Sequence, residues 1–197
     1  MKNKILLPLV LAASAAFISG CASDAHYVET GGRENITSVG QINIQDYIQA
    51  ASVLTDDLKA SGALHKDSGK PILVISRIVN NTGQQIDTDL LTKKIRIAVL
   101  NGGQAVTTTT MGLGGAAEDP LAKGLQDEHA FMTDQQTTTK PDFSLSGKII
   151  ETTARAGSTR QSTYSFQLSL TDAKTGLAVW EGEKEITKQG ARNSVGF

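Results

Sequence analysis

The single cysteine of the chain ends an apolar leader, a setting that suits covalent lipidation. Lys2 and Lys4 make the start positive, residues 5–17 are almost wholly apolar, and residues 18–21 are Ile-Ser-Gly-Cys. An apolar stretch this short is typical of a signal peptide, because a bilayer span takes about 20 apolar residues. The aliphatic-small-small-cysteine pattern is a bacterial lipobox. We therefore predict a signal peptide over 1–20 and, at Cys21, a diacylglycerol and an N-acyl chain, with no other cofactor.

The residues after the cysteine predict where the lipoprotein is sorted. Ala22 and Ser23 follow Cys21, whereas inner-membrane retention of enterobacterial lipoproteins uses an aspartate directly after the cysteine. We expect an anchor in the outer membrane and a domain that faces the periplasm, since two or three acyl chains hold a protein stably. Without the leader the chain has 17 basic and 20 acidic side chains. This balance excludes a general nucleic-acid binder, which needs a basic surface.

Other motifs that could support chemistry are weak. Residues 112–117 fit the pattern G-x-G-x-x-A, but Asp119-Pro120 would interrupt the helix that a dinucleotide site needs. The three histidines, at 26, 65 and 129, are too far apart in sequence to form a local metal pair. One cysteine permits neither an internal disulfide nor a multi-thiolate site. We predict no catalytic site, no metal site and a chain that is not an enzyme.

The elements that would position a binding surface begin after a low-complexity segment. Residues 21–42 combine glycine with scattered charge and lack sustained periodicity, so we predict a lipidated flexible tether. Such a tether has a root-mean-square reach of roughly 25 Å and a fully extended length of about 70 Å. A single globular domain is expected over 43–197.

The first half of that domain alternates helix and strand signals. Apolar residues at helical spacing predict a helix that begins after Asn43 and ends at Gly62. Residues 71–79 are almost continuously apolar, which predicts a strand buried on both faces. A second helix is predicted from Asp87 to 101–103, followed by a short strand at 105–108. This order implies parallel pairing between residues near 75 and near 106.

The second half is dominated by alternating patterns. Residues 143–149 and 164–170 alternate apolar and polar side chains, and a five-residue loop at 172–176 leads into 177–180. The intervening 111–141 is ambiguous, with a short helix suggested at 122–134. We predict an α+β fold: a small mixed sheet of about four to five strands with flanking helices, ending in an antiparallel hairpin. Trp180 is interpreted as a core residue, with an exposed partner anchor as the alternative.

Three stretches of the chain resemble the LpoB family, outer-membrane lipoproteins that activate bifunctional penicillin-binding proteins. These stretches are the strand and polar loop 72–82, the helix and turn 87–103, and the hairpin 166–182. The resemblance covers about 43–188, and Asn-Asn-Thr at 80–82 and Thr-Gly-x-x-x-Trp-x-Gly at 175 are its most specific motifs. It implies a non-catalytic domain that binds a peptidoglycan synthase and raises its activity.

The length of the tether supports an alternative. The best-known members of the family have a long, proline-rich tether, whereas residues 22–41 are few and contain no proline. A structural lipoprotein of a periplasmic ring or envelope complex, such as a flagellar or secretion accessory, would need little reach. Self-association would distinguish this alternative from an activator.

Residues on loops and at strand ends are the candidates for partner binding, because recognition residues gather on loops held by a rigid scaffold. The candidates are Arg77, Asn80, Asn81, Thr82, Arg160 and Tyr164.

Overall fold

The computed structural model describes residues 25–110, 117–133, 140–191 and 195–196. The predicted signal peptide, Cys21 and residues 112–116 of the glycine motif lie outside these ranges. The described elements, in chain order, are β1 (Thr37–Ser38), α1 (Ile44–Ser61), β2 (Ile72–Asn81), α2 (Thr88–Asn101), β3 (Val106–Thr107), α3 (Pro120–Thr133), β4 (Phe143–Ala156), β5 (Thr159–Asp172), β6 (Ala178–Ala191) and β7 (Val195–Gly196).

Five of the strands form one mixed sheet with the order β3-β2-β4-β5-β6. Strand β2 runs parallel to both β3 and β4, whereas β4, β5 and β6 are antiparallel to one another. The pairs Ile72–Val106 and Leu73–Thr107 confirm the predicted parallel crossover through α2. The predicted α+β class and the final antiparallel hairpin are confirmed as well.

The core lies between one face of this sheet and the helices α1 and α2. Apolar residues at helical spacing on α1 are buried, among them Tyr47, Leu54 and Leu58. Alternate residues of the long strands, such as Leu145 and Phe166, are fully buried against them. Sheet alternation therefore divides each strand into a core-facing set and an outward-facing set.

The prediction that strand 71–79 is buried on both faces was wrong. Leu73, Ile75 and Ile78 are buried, but Arg77 and Val79 are exposed, because the helices cover only one face of the sheet. A β-bulge explains the spacing. Ile75 pairs with Leu145 while Ile78 pairs with Gly147, so β2 carries one extra residue and its alternation changes phase.

The ends of the two core helices agree with the predicted caps. The backbone amide of Asn43 donates to the Asp46 carboxylate at 2.7 Å, and Gly62 ends α1 with φ of 69°. Asp87 accepts from the Asp89 amide at 2.9 Å at the start of α2. These local contacts satisfy backbone groups that a helix end leaves free, so they could be predicted from sequence.

The remaining helix and hairpin differ from prediction mainly in length. Helix α3 occupies Pro120–Thr133, and none of its residues is buried. Strands β5 and β6 run well beyond the predicted segments, to 14 residues each. Their turn is held by the Asp172 carboxylate, which accepts from the amides of Lys174 and Thr175.

The last residues of the predicted tether contact the domain. Thr37 and Ser38 pair with the final strand, β7, and Val39 is buried. The Ile42 amide donates to Gln84 Oε1 at 3.0 Å. Ordered contacts to the domain therefore begin six residues before the expected boundary at 43.

Candidate functional site

The face of the sheet opposite the core is an accessible surface with organised chemistry. Helices α1 and α2 pack on the inner face, and none of the described helices packs on this outer face. A shallow depression of about 750 Å³ crosses it from β2 to β6. Its polar lining comprises Arg77, Asn81, Ser146, Lys148, Gln167, Ser169, Glu181 and Glu183.

Charge is divided across this outer face. Arg77 and Lys148 lie on β2 and β4, while Glu181, Glu183 and Glu185 project from alternate positions of β6. No described ion pair joins the two groups. The face therefore offers a partner a cationic side and an anionic side about two strands apart, roughly 10 Å by sheet geometry.

Strand β5 orients two of the glutamates. Ser169 Oγ donates to Glu181 Oε1 at 3.0 Å, and Gln167 Nε2 donates to Glu183 Oε1 at 2.7 Å. Ser165 Oγ also donates to Glu183. The hydrogen bonds from Ser165 and then Gln167 hold the pKa of the Glu183 carboxyl below its ordinary value. The carboxylate is therefore ionised at any neutral pH.

A second polar group lies at the end of the sheet where β4 ends and β5 begins. Gln84 Nε2 donates to the Tyr164 hydroxyl at 2.9 Å and to Glu151 Oε2 at 3.3 Å. Arg160 approaches Glu151 at 3.6 Å. Burial raises the pKa of the Tyr164 phenol, so this hydroxyl stays protonated and acts within a hydrogen-bonded network.

This network is continuous with the strand end that holds the N-terminal segment. Lys188 Nζ donates to the Gln41 carbonyl at 2.8 Å, to Asn43 Oδ1 at 2.6 Å and to Asp46 Oδ2 at 2.5 Å. The ammonium also lies 5.6 Å from the centre of the Tyr164 ring. The arrangement is that of a structural clasp, because every donor of the ammonium is used inside the domain.

Two of the predicted partner-binding residues lie on the outer face. Arg77 and Asn81 are both exposed and both line the depression. Strand alternation puts Arg77 and Asn81 on the same side, and the bulge between Ile75 and Ile78 turns that side outward. They remain available for contact with another protein.

Two others act within their own loop. Asn80 Oδ1 accepts from the Thr82 amide at 3.0 Å and from its hydroxyl at 2.7 Å, and Asn80 Nδ2 donates to the Gln84 carbonyl at 2.7 Å. These bonds form a side-chain-supported turn. Asn80 and Thr82 therefore shape the loop, and the Asn-Asn-Thr motif is largely structural.

The last two predicted residues belong to the buried network. Tyr164 has no exposed surface, so the prediction that it contacts a partner was wrong. It alternates in phase with Phe166, Leu168 and Leu170 and points into the core. Arg160 lies against Gly40, where a Cβ would come within 2.9 Å of Nη1. It holds the N-terminal segment rather than joining Arg77 on the outer face.

The row of three glutamates was not predicted from the sequence, because charged residues on a final strand resemble an ordinary solvated face. The signal was the spacing Glu-x-Glu-x-Glu at 181–185, which places all three carboxylates on one side of a strand.

Trp180 is a core residue, as the first interpretation held. It is 9% exposed, and its Nε1 donates to Asp57 Oδ2 at 3.0 Å. Gly182 leaves room for the indole, since a Cβ there would lie 2.4 Å from Trp180 Cζ2. The Trp-x-Gly part of the hairpin motif is thus a packing requirement.

The described ranges contain no group of three or more His, Cys, Asp or Glu side chains placed to hold a metal ion. None of the helices in the same ranges is long and apolar enough to cross a membrane.

Fold and surface together define a small α+β domain whose accessible chemistry is an open, charged sheet face. The model of the family described as peptidoglycan-synthase activator LpoB matches residues 46–186. The chain therefore belongs to the LpoB family. The match contains α1 from Asp46 onward, α2 and four strands of the main sheet in full, and β6 as far as Ile186.

Solved structures of similar shape are remote in sequence. The LpoB C-terminal domain from Escherichia coli is 11% identical, with a TM-score of 0.45 over 73% of this chain and 99% of that chain. The corresponding domain from Salmonella enterica is 17% identical, with a TM-score of 0.43 over 72% and 98%. Lipoprotein GNA1162 from Neisseria meningitidis is 16% identical, with a TM-score of 0.37 over 63% and 86%. No curated protein matches the chain.

Proposed function

We propose that this protein is a non-catalytic lipoprotein that binds a bifunctional penicillin-binding protein and raises its peptidoglycan-synthase activity. The observation that carries the proposal is membership of the LpoB family over residues 46–186. In the proposed arrangement the acyl chains on Cys21 hold the protein in the outer membrane, and the domain meets its partner from the periplasmic side.

The outer face of the sheet is the surface we assign to this contact. Arg77 and Asn81 project from it, and arginine is among the residues that most often dominate a protein interface. A standard contact buries about 800 Å² on each partner. The domain activates the synthase to the extent that it binds the active conformation more tightly than the inactive one.

A direct test measures glycan polymerisation by a purified synthase in detergent, with a labelled lipid-linked precursor, before and after adding the full-length lipoprotein. We expect faster polymerisation with wild type and at least about tenfold weaker binding for Arg77→Glu, equivalent to about 1.4 kcal/mol. Arg33→Glu is the matched control, because Arg33 is exposed but lies on the N-terminal segment. Wild-type protein that neither binds nor stimulates any synthase of its own cell would refute the proposal.

The anchor is tested separately with Cys21→Ala. We expect the variant to incorporate no radiolabelled palmitate and to leave the membrane fraction, whereas wild type incorporates palmitate and stays in the membrane fraction. Palmitate incorporation that persists in Cys21→Ala would place the lipid elsewhere.

One observation favours the alternative of a structural lipoprotein. Because residues 37–42 contact the domain, the segment that links Cys21 to these contacts comprises residues 22–36. A chain of that length has a root-mean-square reach of about 20 Å and spans at most about 50 Å. Sedimentation velocity at micromolar concentration separates the two functions: a ring component forms a defined oligomer, and an activator sediments as a monomer.

A further inference from the structure

Strand β6 presents a long free edge. It spans Ala178–Ala191 and is the last strand in the sheet order, so within the described part of the chain only β5 pairs with it. Most strands in globular proteins are about 5–6 residues long. A free edge exposes a row of unpaired backbone amides and carbonyls, which is a template for another strand.

The two faces of this edge strand carry different charges. Glu181, Glu183 and Glu185 are exposed on the outer face, spaced about 7 Å apart by strand geometry. The inner face carries Gly182, Lys184 and Ile186 in turn. Among the described residues, neither the three glutamates nor Lys184 take part in an ion pair.

The carboxylates retain capacity for a new partner. The contacts from β5 to Glu181 and Glu183 use Oε1 of each side chain, and Glu185 accepts no described hydrogen bond. A strand added on the free side of β6 would place its outward side chains opposite these glutamates, about 5 Å away between Cβ atoms. Lysine or arginine at those positions would complete three cross-strand ion pairs.

A second copy of the chain is a poor occupant of this edge. Two β6 strands paired antiparallel about a twofold axis at position 183 would set Glu183 opposite itself and Glu181 opposite Glu185. Like charges directly opposite each other destabilise a strand pair. The row of glutamates therefore disfavours self-association and favours a cationic partner.

We propose that β6 is a docking strand for an extended, basic segment of a partner protein, which adds to the sheet as a sixth strand. This inference rests on the proposed function, so the segment belongs to the synthase. Backbone hydrogen bonds supply the attachment, and the glutamate row selects basic side chains at alternate positions.

The inner face adds a second condition on the segment. Lys184 repels a basic residue placed opposite it, and the space over Gly182 is already filled by the Trp180 ring, since a Cβ there would lie 2.4 Å from Trp180 Cζ2. The favoured segment therefore alternates basic residues outward with uncharged residues inward. The charge of Lys184 also disfavours a uniformly basic segment. Binding to β6 therefore depends on the alternating pattern of basic residues and not on their total charge.

The first test uses synthetic ten-residue peptides and the full-length lipoprotein in detergent micelles. A peptide of alternating lysine and threonine should bind and slow amide hydrogen exchange along β6, and one of alternating glutamate and threonine should do neither. N-methylation of every second residue should abolish binding in one register and spare it in the other, because an added strand directs alternate amides to β6. Equal effects in both registers would overturn strand addition.

The second test replaces the row itself. Glu181→Lys/Glu183→Lys/Glu185→Lys and the isosteric triple Gln variant should each bind the lysine–threonine peptide at least about tenfold more weakly. The control is Glu29→Lys/Asp67→Lys/Glu128→Lys, which changes net charge equally at exposed positions away from β6. Circular dichroism identifies any variant that fails to fold, and the Gln variant then decides. Unchanged peptide binding by that variant refutes the glutamate row.

Failure of the inference and failure of the proposed function have different signatures. If wild type stimulates the synthase and the folded Gln variant stimulates it equally, β6 is not the docking strand and the activator function stands. If the peptide binds in one register but wild type stimulates no synthase, the edge is a basic-strand site that serves another partner.

Discussion

Trp180 and Gly182 are matched to each other on the inner side of β6. The indole occupies the space that a side chain at Gly182 would take and reaches Asp57 on α1 through Nε1. In sequence, Asp56 and Asp57 resemble a solvated acidic doublet. In the structure, the Asp57 carboxylate accepts the hydrogen bond of the buried indole, which usually needs an acceptor.

Gly182→Ala should destabilise the domain, because the new methyl group would overlap the Trp180 ring and approach Leu54. Overpacking of this kind costs about 1–3 kcal/mol. Gly124→Ala is the control, since a Cβ there meets nothing within 4 Å. Urea unfolding followed by the fluorescence of the single tryptophan measures both. Equal stability of the two variants would show that the indole has another position.

Tyr47 links a residue's burial to the pH dependence of stability. It is 5% exposed and packs edge-on against Phe166 at 6.1 Å between ring centres. Burial, with the nearby carboxylates of Asp87 and Asp46, raises the pKa of its phenol from 10.0 to about 12. Between these values the unfolded chain loses the proton and the folded one keeps it, so stability falls as pH rises.

The stability difference between wild type and Tyr47→Phe should therefore be constant up to about pH 9 and then decline. By pH 11 wild type should have lost about 1.4 kcal/mol relative to the variant. Urea unfolding of both proteins from pH 8 to 11 provides the measurement. A difference that does not change across this range would mean that the phenol ionises freely in the folded protein.

Helix α1 is joined to β6 at its first turn. Asp46 is 5% exposed, caps the helix through the Asn43 amide, and also accepts from Lys188, which is 8% exposed. The same ammonium binds the Gln41 carbonyl. One buried cation therefore fixes the helix start, the strand end and the N-terminal segment that precedes the helix.

Lys188→Met should be strongly destabilising, because it leaves the Asp46 carboxylate buried without its cation. Breaking a buried pair in this way costs about 3–5 kcal/mol. Lys184→Met, on the same face of the same strand but in no described ion pair, should change stability by less than about 0.5 kcal/mol. Thermal unfolding compares them, and Asp46→Asn in the Lys188→Met background should recover part of the loss. Similar melting temperatures for Lys188→Met and Lys184→Met would contradict this role.

The molecule as a whole concentrates its stability on one side of the sheet. Buried apolar side chains come from α1, α2 and the inner faces of β2, β4, β5 and β6. Helix α3 contributes none, and Leu121, Leu125, Phe131 and Met132 on it are exposed. The open outer face and α3 are therefore free of the packing constraints that govern the inner half.

Leucine truncation tests this asymmetry. Leu54→Ala, at a side chain 1% exposed on α1, should cost about 2–5 kcal/mol. Leu125→Ala, at a side chain 59% exposed on α3, should stay within about 0.5 kcal/mol of wild type. Chemical denaturation gives both values. A large loss for Leu125→Ala would mean that α3 packs against the domain in solution.

Local signals were enough to predict the elements and their class. The apolar periodicity of α1 and α2, the caps at Asn43 and Asp87, and the parallel pairing near 106 depend on neighbouring residues and on crossover handedness, both of which are present in one sequence. Family motifs added the LpoB assignment. Tyr164 alternates in phase with Phe166, Leu168 and Leu170, a pattern that also indicates burial. Its position near the start of the hairpin had instead favoured partner contact.

Long-range packing decided the rest. The amino-acid order sets which side chains of a strand share a face, but burial of that face depends on helices far away in sequence, so β2 could not be recognised as one-sided. The bulge that moves Arg77 outward arises from pairing with β4, some 70 residues later. Lys188, Asp46 and Gln41 likewise meet only because β6 ends where α1 begins, a proximity created by the folded chain and absent from its sequence neighbourhoods.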